Sequence, residues 1–241
     1  MYLRLLNKIK KRFILLSLFV FFSPPSGATN IVANYEVLWN SVLLGNIEWQ
    51  YYFNDSEYRF TIELNSSGIT KLYPFYGKYV SYGSLEENSL HTHNYSAIWK
   101  TKKKNKFVKI KFDKGRVVSF SMGPEKGRKP RIDFLKLNNA TDPITASLEL
   151  IMLDDGRLIN NVFDGRRTYN LSAIKKNDGG YLLKLNNYQN IWKDHNKTDL
   201  KSIEVTTGIV EGGIRLPLNF KIKNKRLVFK INYISHKLIK Q

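Results

Sequence analysis

The chain has 241 residues, with 39 lysines and arginines against 20 aspartates and glutamates, a formal net charge of +19, and no cysteine. The missing thiols exclude disulfides, cysteine nucleophiles and cysteine-ligated metal sites, so the fold rests on packing. A hydrophobic content of 42% supplies a core, and the length suits a single all-β domain.

The first 28 residues read as an address. Arg4, Lys8, Lys10, Lys11 and Arg12 form a basic start, and Phe13 to Phe22 is an apolar run. Ser23-Pro24-Pro25 ends it, before the small residues Ser26-Gly27-Ala28. That order is the pattern of a secretory signal peptide. The run is too short to span a bilayer, which takes about 20 apolar residues. The expectation is export to the periplasm of a Gram-negative-type bacterium, with residues 29–241 as one exported β domain.

From Tyr35 to Tyr79 three segments alternate apolar and polar residues with a period of two. Tyr35, Val37 and Trp39 share one side of the first, Ile47, Trp49, Tyr51 and Phe53 of the second, and Tyr58, Phe60, Ile62 and Leu64 of the third. Successive side chains point to opposite faces of a strand, so this spacing predicts an antiparallel meander with an aromatic inner face. Ser41 to Gly45 and Asn54-Asp55 are its turns. Pro74 stops any helical turn formed by Ile69 to Tyr73. Hairpins follow over Lys78 to Lys100 and Lys106 to Met122. Gly123 to Asn139 is then a long connection rich in Gly, Pro and Lys.

One helix is predicted. Asp142 suits an N-cap, Pro143 the first helical position, and Ile144, Leu148, Ile151 and Met152 recur at helical spacing, with an end near Leu153. Strands resume at Asn160 to Phe163, Thr168 to Lys176, Tyr181 to Leu185 and Lys201 to Thr207. A final hairpin carries Leu216, Leu218, Phe220 and Ile222 against Leu227, Phe229, Ile231 and Tyr233. Pro217 cannot donate to a ladder, which predicts an edge strand there. The fold class expected is all-β and mainly antiparallel: a strongly curved sheet or open barrel-like domain of roughly a dozen strands with one short helix.

The series Tyr35-Glu36-Val37-Leu38-Trp39, Leu44-Gly45, Leu72-Tyr73-Pro74-Phe75, Asp142-Pro143, Phe163-Asp164-Gly165-Arg166-Arg167-Thr168-Tyr169 and Leu216-Pro217-Leu218 resembles the exported bacterial proteins grouped as domain of unknown function 3108. The resemblance implies a periplasmic β protein of curved-sheet type. It supplies no catalytic residue and no cofactor.

Little else carries chemistry. His91 and His93 would share one strand face, but zinc takes at least three protein ligands and no third stands near. Ser172 to Lys175 matches Ser-x-x-Lys on a strand, where the two side chains point apart. No phosphate loop or dinucleotide fingerprint occurs. No cofactor is therefore expected.

Charge is unevenly spread. Residues 29–99 carry 3 basic and 7 acidic side chains, residues 100–136 carry 14 and 3, and residues 221–241 carry 7 and none. Lys102, Lys103, Lys104, Arg128, Lys129 and Arg131 are the candidate basic patch, suited to an anionic partner such as a lipid or lipopolysaccharide-like molecule, or to a membrane surface. Export argues against nucleic acid. The function expected is a non-enzymatic envelope protein that holds an apolar or anionic envelope molecule on a curved sheet. The alternative is an enzyme acting on envelope polymers through scattered carboxylates, with Asp142, Asp154, Asp155 and Asp164 as its candidates.

Overall fold

A computed structural model describes residues 28–86, 89–125, 127, 129–152, 158–177, 179–192, 200–211, 213–225 and 227–239. Residues 1–27 of the export segment, Arg128, the predicted helix end at Leu153, Asp154, Asp155 and Asp178 lie outside the described residues.

Among the described residues thirteen strands run in chain order: β1 (Thr29–Trp39), β2 (Val42–Phe53), β3 (Glu57–Ser66), β4 (Phe75–Glu86), β5 (Ser89–Thr101), β6 (Asn105–Asp113) and β7 (Arg116–Gly123), then β8 (Leu158–Phe163), β9 (Arg167–Lys175), β10 (Tyr181–Asn190), β11 (Leu200–Ile209), β12 (Arg215–Asn224) and β13 (Val228–Leu238). They form one sheet in the order β7-β6-β5-β4-β3-β2-β1-β13-β12-β11-β10-β9-β8. Consecutive strands pair antiparallel within β1–β7 and within β8–β13, β7 and β8 are the two edges, and β1 with β13 joins the two halves. The helix α1 (Pro143–Met152) stands between the halves in sequence.

The period-two pattern places the core. Ile31, Ala33 and Tyr35 of β1, Tyr58 and Phe60 of β3, Tyr95 and Ala97 of β5, and Val108, Ile110 and Phe112 of β6 are all buried, with more exposed residues between them. Burying such faces is the main driving force for the sheet to curl on itself.

Three local expectations need correction. The β1–β2 turn is only Asn40-Ser41, both with positive φ (45° and 65°). That is the backbone of a two-residue hairpin turn matched to strand twist. Val42 to Gly45 instead belong to β2, with an irregularity opposite Val37/Leu38. Trp39 lies at this tip and is partly exposed rather than in the core. Finally, β12 is an interior strand. Pro217 is tolerated because the β12–β13 ladder covers only Asn219 to Lys223, and the register with β11 slips beside it, between Thr206 and Thr207.

The sheet does not close into a barrel. Among the described residues β7 pairs only with β6, and β8 only with β9, apart from a single bridge between Thr141 and Val162. Side chains fill the seam. Phe120 of β7 packs on Phe134 (4.9 Å between ring centres), Phe163 of β8 (5.8 Å) and Trp192 (6.4 Å). The connecting chain crosses the same seam: Ala140 donates to the Gly115 carbonyl (2.7 Å) and Phe163 to that of Thr141 (2.9 Å).

That crossing delivers α1 to the inside of the curl. Asp142 caps it, accepting from the backbone N–H of Ile144 (2.8 Å) and Thr145 (3.2 Å) through Oδ1. Its Oδ2 accepts hydroxyls from Ser81 of β4 (2.8 Å), Thr92 of β5 (2.8 Å) and Thr145 itself (2.6 Å). The Tyr58 hydroxyl of β3 meets Thr145 Oγ1 at 2.8 Å. The carboxylate thus ties two strands to the helix start directly, and Thr145 ties a third.

Candidate functional site

The inner face is not packed solid. Where α1 begins, the curl leaves a cavity of about 300 Å³, at the lower end of the roughly 300–1,000 Å³ of small-molecule sites. Tyr35, Trp49 and Tyr79 line one side, Phe220 and Ile231 the other, and Ile144 of α1 contributes from within. The alternation of β1 to β4 and of β11 to β13 aims these side chains inward. Tyr79, Phe220 and Ile231 remain only half-buried, so solvent reaches the apolar wall.

Two polar groups in this wall stand out. The Tyr35 hydroxyl and the Trp49 indole N–H are both buried without a hydrogen-bond partner. Such groups are uncommon, because each costs the desolvation of an unmade bond. Burial pushes the Tyr35 hydroxyl up to about 12. Tyr51 lies near enough to lower it somewhat, though the two hydroxyls do not reach bonding geometry.

A second concavity, of about 340 Å³, lies at the strand tips where the β5–β6 and β8–β9 turns meet. Phe75, Trp99 and Thr101 form its floor, and Lys104, Lys106, Arg166 and Arg167 line it. The β8–β9 turn is built by Asp164. Its Oδ1 accepts from the backbone N–H of Arg166 (2.8 Å) and Arg167 (2.7 Å), and its Oδ2 lies 3.4 Å from Arg167 Nη1. Gly165 permits the turn's positive φ and its approach to Val108 and Phe120, since an added Cβ would come within 2.6 Å of Val108. Arg166 then stacks on Trp99, 5.3 Å from the ring centre. Trp99 donates to the Tyr79 hydroxyl at 2.8 Å. Because Tyr79 lines the apolar cavity, that pair is the partition between the two spaces.

Of the six basic candidates, Lys104 lines this cleft. Lys102 and Lys103 are exposed on the same turn, and Lys129 and Arg131 are exposed on the long connection. The Arg131 backbone bonds to Ile191 (2.7 Å), and Ile191 in turn to the Arg166 carbonyl (2.9 Å). Sequence reasoning missed Arg166 and Arg167 because residues 137–220 balance in charge. The available signal was the turn Asp164-Gly165-Arg166-Arg167, which sets two guanidinium groups side by side.

Of the carboxylate candidates, Asp142 and Asp164 hold structural posts. Asp142 is fully buried; burial pushes its carboxyl up, and the Thr145, Ser81 and Thr92 hydroxyls pull it back. Burial likewise raises Asp164, against the pull of Arg167. His91 and His93 are exposed beside a third, polar cleft of about 620 Å³ at the opposite end. His93 Nε2 lies 3.2 Å from Ser84 Oγ. Among the described residues no group of three His, Cys, Asp or Glu side chains converges on a metal position.

A family-wide pattern described as "Protein of unknown function (DUF3108)" matches residues 34–178. That span holds every segment quoted for the resemblance except Leu216 to Leu218. Comparison with curated proteins returns no match. Among solved structures, the chain is similar to a β-barrel-like protein of domain of unknown function DUF1849 from Brucella abortus. The identity is 12%, the TM-score is 0.52, and the alignment covers 90% of this chain and 100% of the other. At that identity the likeness carries the fold alone.

Proposed function

Since the chain belongs to the DUF3108 family of proteins of unknown function, we propose its role from geometry: a non-enzymatic binding protein of the cell envelope that takes an apolar molecule into the lumen of its curled sheet. The observation that supports this most directly is the cavity beside α1, walled by aromatic and aliphatic side chains that stay half-open to solvent. A wall made only for stability would close, because interiors pack to crystal-like density. Export to the periplasm belongs to the same reading and rests on the pattern of residues 1–28. Membrane-surface contact belongs to it too, at the strand-tip end, where Ile69, Leu72 and Tyr73 are exposed beside Lys71.

Dodecanol serves as the apolar probe. Calorimetric titration should give saturable binding, and ligand at a hundredfold excess over its Kd should stabilise the fold by roughly 2.7 kcal/mol. Ile62→Trp and Ile231→Trp place an indole into the lumen from opposite walls. They should abolish binding while leaving thermal stability equal or higher. Absence of dodecanol binding to the wild type, together with a clean apo mass for protein isolated from its own periplasm, would remove this reading.

A further inference from the structure

We propose that the tip cleft formed by Trp99, Lys104, Lys106, Arg166 and Arg167 is an anion-recognition site for the head of the lumen ligand, which makes that ligand an anionic amphiphile with a phosphate or carboxylate group. The inference rests on the lumen reading above and adds the polar half of the molecule.

Several observations converge. Four cationic side chains line the cleft, and among the described residues no carboxylate lines it with them. They come from distant parts of the chain: the β5–β6 turn and the start of β6 supply two lysines, the β8–β9 turn two arginines. The curl alone brings them together. Arg167 spends one Nη1 contact on Asp164 at 3.4 Å, while its Nε is buried with no hydrogen-bond partner. A buried guanidinium N–H left unmatched is costly, and a charged oxygen is its natural complement. The Trp99 ring holds the Arg166 guanidinium by stacking, which limits its freedom before any ligand arrives. The cleft floor (Phe75 and Trp99) is aromatic, so an anion there sits against low-dielectric walls that strengthen its attraction to the cations.

Position ties the cleft to the lumen. The Trp99–Tyr79 hydrogen bond is a one-residue-thick partition, with Trp99 facing the cleft and Tyr79 facing the cavity. Parting of this single pair would let a molecule with its chain in the lumen place its head group among the cations.

Titration of dodecyl phosphate, dodecanol and inorganic phosphate into the full exported domain separates the parts. Dodecyl phosphate should bind at least tenfold more tightly than dodecanol, with an advantage that shrinks as salt rises. Lys104→Glu, an exposed position where the fold should be retained, and Arg167→Gln should each erase most of that advantage and leave dodecanol binding unchanged. Dodecanol and dodecyl phosphate binding equally well, with both variants silent, overturns the head-group assignment while the lumen reading stands. Inorganic phosphate binding as tightly as dodecyl phosphate also overturns it, and marks the cleft as a free-anion site. Failure of both dodecyl compounds removes the lumen reading and the assignment together.

Discussion

Asp142 shows how one side chain can set both helix position and acid response. Its two oxygens accept from two backbone N–H groups and three hydroxyls, all inside the protein. Asp142→Ala removes the cap and strands the Ser81, Thr92 and Thr145 hydroxyls, so a loss of at least about 3 kcal/mol is expected in denaturant titrations. Asp142→Asn keeps an acceptor for the cap and should cost less. The pH response separates the two forms further. Burial raises the folded-state pKa of Asp142 above its ordinary 3.8, so the folded chain holds this proton more tightly than the unfolded chain does. Stability from this group is then fully present below 3.8 and declines as pH rises through the window above it. Wild type should therefore gain on Asp142→Asn as pH falls toward 3.8. A stability difference that is flat across that range, or grows in the other direction, would contradict the assignment.

At the scale of elements, the seam between β7 and β8 is the place where the sheet could open, since aromatic stacking there replaces a ladder. Phe163 is fully buried between Phe120 and Phe134. Phe163→Ala should cost about 3–5 kcal/mol, the range for emptying a buried aromatic site. Amide exchange should speed first in β7 and β8 while the β1–β13 ladder stays protected; uniform acceleration would show that the seam is not a separate unit. The strands themselves were legible in sequence because alternation is a local signal: Tyr58, Phe60, Val108 and Ile110 are buried where the pattern puts them. So was the Asp142-Pro143 helix start, for which capping chemistry suffices. What escaped depended on partners far along the chain. The spacing of Pro217 says nothing about where the β12–β13 ladder begins, and Trp39 alternates as a core residue but stands at a tip. Gly83 is similar. An added Cβ would meet the His91 carbonyl oxygen at 1.9 Å and the Tyr58 hydroxyl at 2.7 Å, a crowding that only the folded register of β4 on β5 creates. The cleft escaped for the same reason, since Lys104 and Arg167 are 63 residues apart in number and meet only through the curl.

Over the whole molecule, antiparallel order puts the β1–β2, β3–β4, β5–β6, β8–β9 and β12–β13 turns at one end, because Trp39 at the end of β1 pairs with Phe229 at the start of β13. This end holds the basic cleft and also the short helical turn Gly68–Leu72, which is anchored to β2 by the Thr70 hydroxyl and the Ser67 N–H on the Leu44 carbonyl. From that anchored turn Ile69, Leu72 and Tyr73 project with 63%, 71% and 83% of their surface exposed. A fixed turn that displays apolar side chains next to Lys71, Lys102 and Lys103 has the chemistry of an interfacial contact: apolar groups for the acyl boundary, cations for anionic heads. Such a contact would put the cleft, and the partition leading to the lumen, at the surface from which an amphiphile departs. Sedimentation with vesicles checks it. Binding is expected to phosphatidylcholine vesicles containing phosphatidylglycerol, to fall with salt, and to be weak on phosphatidylcholine alone. Replacing Leu72 and Tyr73 together by serine should lower the partition by about tenfold or more, as losing two apolar side chains at an interface implies, without changing dodecyl phosphate affinity in solution. Equal binding to neutral and anionic vesicles, or an unchanged partition for the double variant, would detach this end from any membrane and leave the cleft to load from solution.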